Sequence, residues 1–265
     1  MRKELQQQVI PQFNINNLEW TRFILEECQE QNYPVILGVS ESAINYMGGY
    51  SVVTNMVKTL IKELNIKIPV SIHLDHGRSL ETCKKAIEAG FTSIMLDLST
   101  QSIQENKKQV KELVELAHPN ILVEAEVGPI GIEQSNQNYT NIENCIEMKN
   151  TGIDTLAPAI GNQHGIYKGQ ANLDYELLSK IYEKTNIPLV LHGASGLSEE
   201  QLKECIKRGI KKINFNTELQ IAWAEEIKKY IEKNNNVYDP RKIIKSGEKA
   251  LKNIIKQKIE ILKQG

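Results

Sequence analysis

Short β-branched runs alternate with longer stretches of helical apolar spacing along these 265 residues, and this alternation constrains the fold more than any other feature. The runs occupy residues 9–13, 34–39, 70–74, 93–96, 121–127, 155–159, 189–191 and 212–215. Between them apolar side chains recur on one helical face, as with Leu18, Phe23, Leu25 and Cys28, or Leu202, Cys205 and Ile206. Asn17 and Ser198 stand where helices should start, and Gly90, Gly152 and Gly209 where helices should end. Ser198, with Gln201 three residues on, spells a capping box. Strands joined by helices pair in parallel, because each crossover returns the chain to the same end of the sheet. Eight such units predict closure into a (β/α)8 TIM barrel. The tail from Tyr238 adds an extra C-terminal helix with Ile254, Ile255, Ile259 and Leu262 on its apolar face. No linker or low-complexity run intervenes, so residues 1–265 read as a single barrel domain.

Composition removes several function classes. A formal net charge of -1 offers no electrostatic footprint for nucleic acid. No apolar stretch approaches the ~20 residues that cross a bilayer, and the start lacks the basic and apolar segments of a signal peptide. Cys28, Cys83, Cys145 and Cys205 are scattered over helical stretches without paired spacing, which predicts reduced thiols in a cytoplasmic protein.

A barrel gathers its chemistry at the C-terminal ends of its strands. Read in order, those ends carry Asn14, Ser40, Asp75 with His76, Asp97 with Ser99, Glu126, Asn162 with His164, His192, and Asn214 with Asn216. Loop starts are commonly polar, so no single residue here is decisive; the collection is. Of five histidines, His118 lies near a helix end and receives no function, and His73 shares the parity of Asp75 and should fill the barrel interior. His76, His164 and His192 fall just past strands three, six and seven. One histidine there would ordinarily be a structural hydrogen-bonding group. Three at one barrel mouth point to a catalytic zinc, which commonly takes three protein ligands and leaves one position open. Asp97 and Glu126, at neighbouring strand ends, make a candidate second metal site. Glycines flank the histidines in His76-Gly77, His164-Gly165 and His192-Gly193-Ala194-Ser195-Gly196. Glycine allows close backbone approach, and the loops after strands seven and eight are a frequent phosphate site in barrels.

The segments QFNINNLEW, HLDHG, GFTSIMLD, LVEAEVG, APAIGNQHGIYKG, PLVLHGASG, INFNTELQ and YDPRK follow one another along nearly the whole chain. In these segments the chain resembles the class II, metal-dependent ketose-bisphosphate aldolases, in particular bacterial fructose-bisphosphate aldolases. The resemblance implies that His76, His164 and His192 bind zinc. It implies that Asp75 shuttles a proton to and from the oxygen of the aldehyde product. Gly165, Gly193, Ser195, Asn214, Asn216 and Thr217 would hold dihydroxyacetone phosphate, with a monovalent cation nearby, and Asn14 and Ser40 at their strand ends are further substrate-binding candidates. Arg241 would grip the distal phosphate through bidentate, charge-assisted bonds. A phosphorylated ketose is the implied partner, and a homodimer or homotetramer the implied assembly.

The sequence departs from the family pattern in three places. The family begins with an additional helical segment before its first strand, whereas here only residues 1–8 precede it. The family's Asp-Gly-Ser after strand four is Asp97-Leu98-Ser99. The loop after strand five reads Gly131-Ile132-Glu133-Gln134-Ser135, placing Gln134 where the family carries its proton-abstracting glutamate and Glu133 one step earlier. Gln takes no proton at neutral pH. Either Glu133 serves as the base after a shift in the loop, or the chain is a non-catalytic relative that binds zinc and sugar phosphates. A tagatose-bisphosphate aldolase is the nearer alternative; its members tend to carry alanine where this chain has Asn216, which leans toward fructose.

Overall fold

Eight parallel strands close on themselves in chain order: β1 (Ile10–Asn14), β2 (Val35–Ser40), β3 (Val70–Gly77), β4 (Ser93–Leu96), β5 (Leu122–Val127), β6 (Thr155–Pro158), β7 (Leu189–Leu191) and β8 (Ile210–Phe215), with β8 pairing back onto β1. This computed structural model describes residues 1–131, 139–167, 169 and 171–264. Helices α2 (Leu18–Glu30), α3 (Glu41–Met47), α4 (Tyr50–Glu63), α5 (Leu80–Ala89), α6 (Ile103–Ala117), α7 (Ile142–Lys149), α8 (Tyr175–Thr185), α9 (Glu199–Lys207) and α10 (Thr217–Lys233) surround the barrel. The expected (β/α)8 architecture is present. The expected C-terminal addition comprises α11 (Pro240–Ser246) and α12 (Glu248–Leu262). Helix α12 buries Leu251, Ile255, Ile259 and Leu262 against the helical layer over β1, beside α2 and α10.

Strand parity sorts every side chain into one of two cores. Phe13, Leu37, Leu74, Val123, Leu156, Leu191 and Phe215 point outward into the large apolar layer beneath the helices. Their neighbours point inward and fill the barrel in tiers. Ile10, Ile36 and Leu122 close one end together with Leu5 of α1 (Arg2–Gln7). Gln12, His73, Glu124 and Lys212 form a polar middle tier, all buried. One inward step further on, Asn14, Asp75, Glu126 and Asn214 reach the C-terminal mouth. A period of two therefore converts a polar residue at a strand end into a mouth-lining group.

Boundary chemistry follows the sequence. The Asn17 side chain accepts from Trp20 N–H at 2.8 Å, and Ser198 with Gln201 completes the predicted capping box. Gly90 caps α5 in the left-handed conformation, while Gly152 and Gly209 adopt positive φ just past the ends of α7 and α9. Two expectations require correction. Residues 1–8 are not a bare lead-in: Arg2–Gln7 is a helix, held by Arg2 bonds to Asp154 and to the Ile121 carbonyl. Strand β3 runs three residues beyond the expected Leu74, because Asp75 pairs with Ser40 of β2 and Gly77 with Leu96 of β4 across an irregularity. No described helix is long and apolar enough to cross a membrane. All four cysteines lie on helices, buried and free, as expected.

Candidate metal and substrate site

The irregularity in β3 places His76. Its backbone adopts φ 54, a left-handed conformation that non-glycine residues seldom take and that here turns the ring over the mouth. His192 follows directly on β7, and His164 comes from the loop after β6. The three rings converge, with centroids 4.8 Å (His76–His192), 5.0 Å (His76–His164) and 5.7 Å (His164–His192) apart. One nitrogen from each lies within 4.8 Å of the others.

Carboxylates on the far side of two rings decide which nitrogens face inward. His76 Nδ1 bonds Asp97 Oδ2 at 2.8 Å, and His192 Nε2 bonds Glu124 Oε1 at 3.0 Å. The remaining nitrogens, His76 Nε2 and His192 Nδ1, meet at 3.1 Å. Donors ~2.0–2.1 Å from a tetrahedral zinc stand roughly 3.3 Å apart, so this spacing fits a metal with little adjustment. An imidazole whose outer nitrogen is committed to a carboxylate is the common arrangement of a metal-ligating histidine. The donor set therefore fits a divalent ion of the zinc type.

Asp75 lies beside His76, buried, with Oδ2 accepting from Asn14 Nδ2 at 2.7 Å. Its Oδ1 is buried without a hydrogen-bond partner among the described residues. Burial alone would raise its pKa, but His76, His192, His73 and Lys212 outweigh that and hold it well below the usual carboxylate range. The group is an ionised base with one free oxygen. Burial likewise opposes charge on His76, yet Asp75, the bond to Asp97, and Glu126 push its pKa up to about 9. Burial lowers His192, leaving a neutral imidazole suited to ligation.

These groups open into a cavity of 240 Å³ lined also by Asn14, Ser40, Gly165, Gly193, Ser195, Asn214, Asn216 and Thr217. Every substrate-rim residue expected from the sequence is here except Arg241. Gly193 is obligatory: at φ +64 an added Cβ would fall 2.0 Å from the Gln163 carbonyl oxygen. Tyr167 clasps the same two loops, donating to the Gly193 carbonyl at 2.8 Å and accepting from Gln163 N–H at 3.0 Å. The Oδ1 atoms of Asn214 and Asn216 are buried without described partners, as is expected of groups awaiting a ligand's hydroxyls. An adjoining chamber of 450 Å³ extends from Asp75, His76 and His164 past Ser40, Ser42, Asp97 and Ile130 to Glu41 and Arg78.

Other expected residues fall elsewhere. Asp97 and Glu126 do converge with His76 as a second metal-ligand group. Glu126 Oε2 has no described hydrogen-bond partner, and burial followed by the Asp97 charge pushes its pKa up to about 8. Leu98, in place of the family glycine, is buried, and the turn still delivers Asp97 to His76. Arg241 is not in the cavity: it sits at the start of α11 with an 89% exposed side chain, paired at 2.9 Å with Asp239. Glu133 and Gln134 lie outside the described residues. His73 fills the interior as expected, and His118 ends α6 and bonds Asp154 at 2.9 Å. Sequence reading missed Glu124, Lys212 and Arg78. The parity of Glu124 with Glu126, and of Lys212 with Asn214, was the available signal for the first two.

A closed (β/α)8 barrel with three inward histidine nitrogens and an ionised carboxylate at its mouth defines a metal-dependent barrel enzyme. The family model for class II fructose-bisphosphate aldolases matches residues 3–265. The fructose-bisphosphate aldolase of Geobacillus stearothermophilus is 50% identical over 250 residues, 92% of this chain and 87% of that protein. That of Staphylococcus epidermidis is 46% identical over 257 residues, 94% of this chain and 90% of its own length. Among solved structures, the YdjI aldolase of Escherichia coli superposes with a TM-score of 0.85 at 31% identity, covering 98% of this chain and 94% of that one. The chain belongs to the class II fructose-bisphosphate aldolase family, whose members are lyases dependent on a divalent metal.

Proposed function

We propose that this chain, working as one barrel unit, cleaves fructose bisphosphate reversibly to dihydroxyacetone phosphate and glyceraldehyde phosphate, the aldol step of glycolysis, with zinc as its metal. The observation that carries this reading is the pairing of the oriented histidines with Asp75, which lines the same cavity and whose buried Oδ1 has no hydrogen-bond partner among the described residues. His76, His164 and His192 hold the zinc, which when bound polarises the ketose carbonyl as a Lewis acid. Gly165, Gly193, Ser195, Asn214, Asn216 and Thr217 hold the three-carbon phosphate end, with a monovalent cation beside it. Asn14 orients Asp75, and Ser40 lies on the rim between the two chambers.

In cleavage, ionised Asp75 accepts the proton of the hydroxyl on the carbon that becomes the aldehyde. The carbon–carbon bond breaks and its electron pair stays on the three-carbon fragment. Protonated Glu133 then delivers a proton to that carbon; in synthesis both transfers reverse. Asp97 and Glu126, with His76, offer a second position for the metal. Arg241 is exposed and does not line its own cavity, and on this reading it serves the distal phosphate across a homodimer or homotetramer contact. The test is a coupled aldolase assay on purified protein with fructose and tagatose bisphosphates, with and without zinc. Zinc-dependent turnover favouring fructose bisphosphate supports the reading. Preference for tagatose bisphosphate would reassign the substrate, and zinc binding without turnover would make the chain a non-catalytic relative.

A further inference from the structure

We propose that Glu124 and Lys212 are positioning residues: they determine which nitrogen of His192 faces the metal and thereby set the metal affinity without being ligands themselves. The inference rests on the histidine site just described.

The geometry is a chain of buried polar contacts crossing the barrel one tier below the mouth. His192 Nε2 donates to Glu124 Oε1 at 3.0 Å. The other oxygen, Oε2, accepts from Lys212 Nζ at 2.6 Å and from Thr155 Oγ1 at 3.2 Å. Lys212 Nζ also contacts His73 Nε2 at 3.2 Å, and His73 Nδ1 contacts Ser93 Oγ at 2.7 Å. An ammonium only donates, so His73 Nε2 is the acceptor and its proton sits on Nδ1, toward Ser93. Glu124, Lys212, His73 and His192 are each at most 1% exposed. Asn214 Nδ2 also approaches the His192 ring, 3.4 Å from Nδ1 and 3.3 Å from Nε2, and at Nε2 the Glu124 contact of 3.0 Å is the shorter.

Two arguments separate positioning from mere packing. A buried ion pair adds little net stability, since apolar residues of similar volume replace such pairs without loss or with gain. The pair's distinctive effect is therefore directional. With Nε2 of His192 committed to Glu124, only Nδ1 remains to meet His76 Nε2 at the metal position. Lys212 supplies the stronger part of the second constraint: its charged bond to Oε2, at 2.6 Å against 3.2 Å for Thr155, pins the oxygen opposite the imidazole, so that the carboxylate is held on both sides. The anchors also register the strands. His73, Glu124 and Lys212 each lie two residues before a mouth group on the same strand, namely Asp75, Glu126 and Asn214.

The test replaces both charges at once, with Glu124→Met and Lys212→Met in one chain. Three measurements are made: thermal unfolding of the metal-free protein, zinc affinity by chelator competition, and the tautomer of His192 by ¹⁵N NMR. We expect a folded protein with a melting curve close to wild type, zinc bound about 10–100-fold more weakly, and a mixture of His192 tautomers in place of one. If the double variant does not fold, Glu124→Gln alone answers the question, with the same direction expected in affinity and tautomer. Unchanged zinc affinity with a single unchanged tautomer in either folded variant overturns the inference. Wild-type protein that does not bind zinc, or His192→Ala that binds it normally, would instead overturn the histidine site itself.

Discussion

The Asp97 carboxylate holds His76 by Nδ1 at 2.8 Å and so turns Nε2 of the same ring toward His192, 3.1 Å away. A turn after β4 thus aims a ligand that belongs to β3. Because the ring is aimed rather than merely present, the site's metal should follow particular nitrogens.

Replacing His76, His164 or His192 by Ala should each remove most of the bound zinc, since no spare imidazole stands within reach; the two remaining histidines, His73 and His118, are engaged with Lys212 and Asp154. Elemental analysis of the purified variants measures this. His118→Ala should keep full occupancy, and full occupancy in all three site variants would refute the ligand assignment.

Asp75 is held ionised and has a free oxygen, so its contribution should be proton transfer. Asp75→Ala should retain zinc while losing the factor of about 10²–10⁴ typical of a positioned acid–base group. Steady-state turnover measured alongside metal content distinguishes this from a ligand, whose loss would lower both.

Arg241 stands outside its own cavity, and that makes complementation the informative experiment. Arg241→Ala should weaken bisphosphate binding, because it removes a charge-assisted contact to the distal phosphate. Mixing inactive Asp75→Ala chains with Arg241→Ala chains under subunit exchange should yield hybrids more active than either parent. No gain on mixing, with exchange verified by mass spectrometry, would show that Arg241 does not act across copies.

The loop after β5 sets two variants against each other. If Glu133 is the base, wild-type protein exchanges the carbon-bound proton of dihydroxyacetone phosphate with solvent deuterium, and Glu133→Gln slows that exchange about 10²–10⁴-fold. If the place belongs to Gln134, wild type exchanges slowly and Gln134→Glu accelerates it. An active enzyme indifferent to both substitutions would have its base elsewhere.

At the opposite end of the barrel, Asp154 yields a pH prediction. Burial would raise its pKa, but the Arg2 hydrogen bond, the Val123 N–H and His118 hold it below the ordinary carboxylate value. A depressed folded pKa means the stabilisation is complete above the unfolded value, about 3.9, and is lost as pH falls through the lower folded value. Urea midpoints recorded from neutral pH downward should fall in that acid window. Asp154→Asn should be less stable than wild type at neutral pH and should show a shallower acid loss.

Much of this is legible in the sequence alone. Alternation gave the barrel, because the period of each segment reports the face it buries, and strand ends gave His76, His192, Asp75 and Asn214, because parity and position suffice there. The overrun of β3 was not legible, since Asp75 and His76 read as loop by polarity and only pairing with Ser40 and Leu96 makes them strand. Glu124 and Lys212 escaped for the complementary reason. A charge in mid-strand reads as solvent-facing until its partner, 88 residues away, is known. The location of Arg241 was equally hidden, because sequence assigns a residue a chemistry but not a side of the molecule.

The plug formed by Leu5, Ile10, Ile36 and Leu122 gives the molecule two functionally unlike poles. With that end sealed and the middle tier filled, the described residues leave no thoroughfare, and molecules come and go by the rim at the strand C-termini. An antibody fragment raised against that rim would therefore silence the protein by obstruction alone, without entering the cavity. One raised against α1 and the surface around Asp154 could coat the far pole completely and leave traffic untouched, which makes that pole the face by which to tether the protein to a solid support.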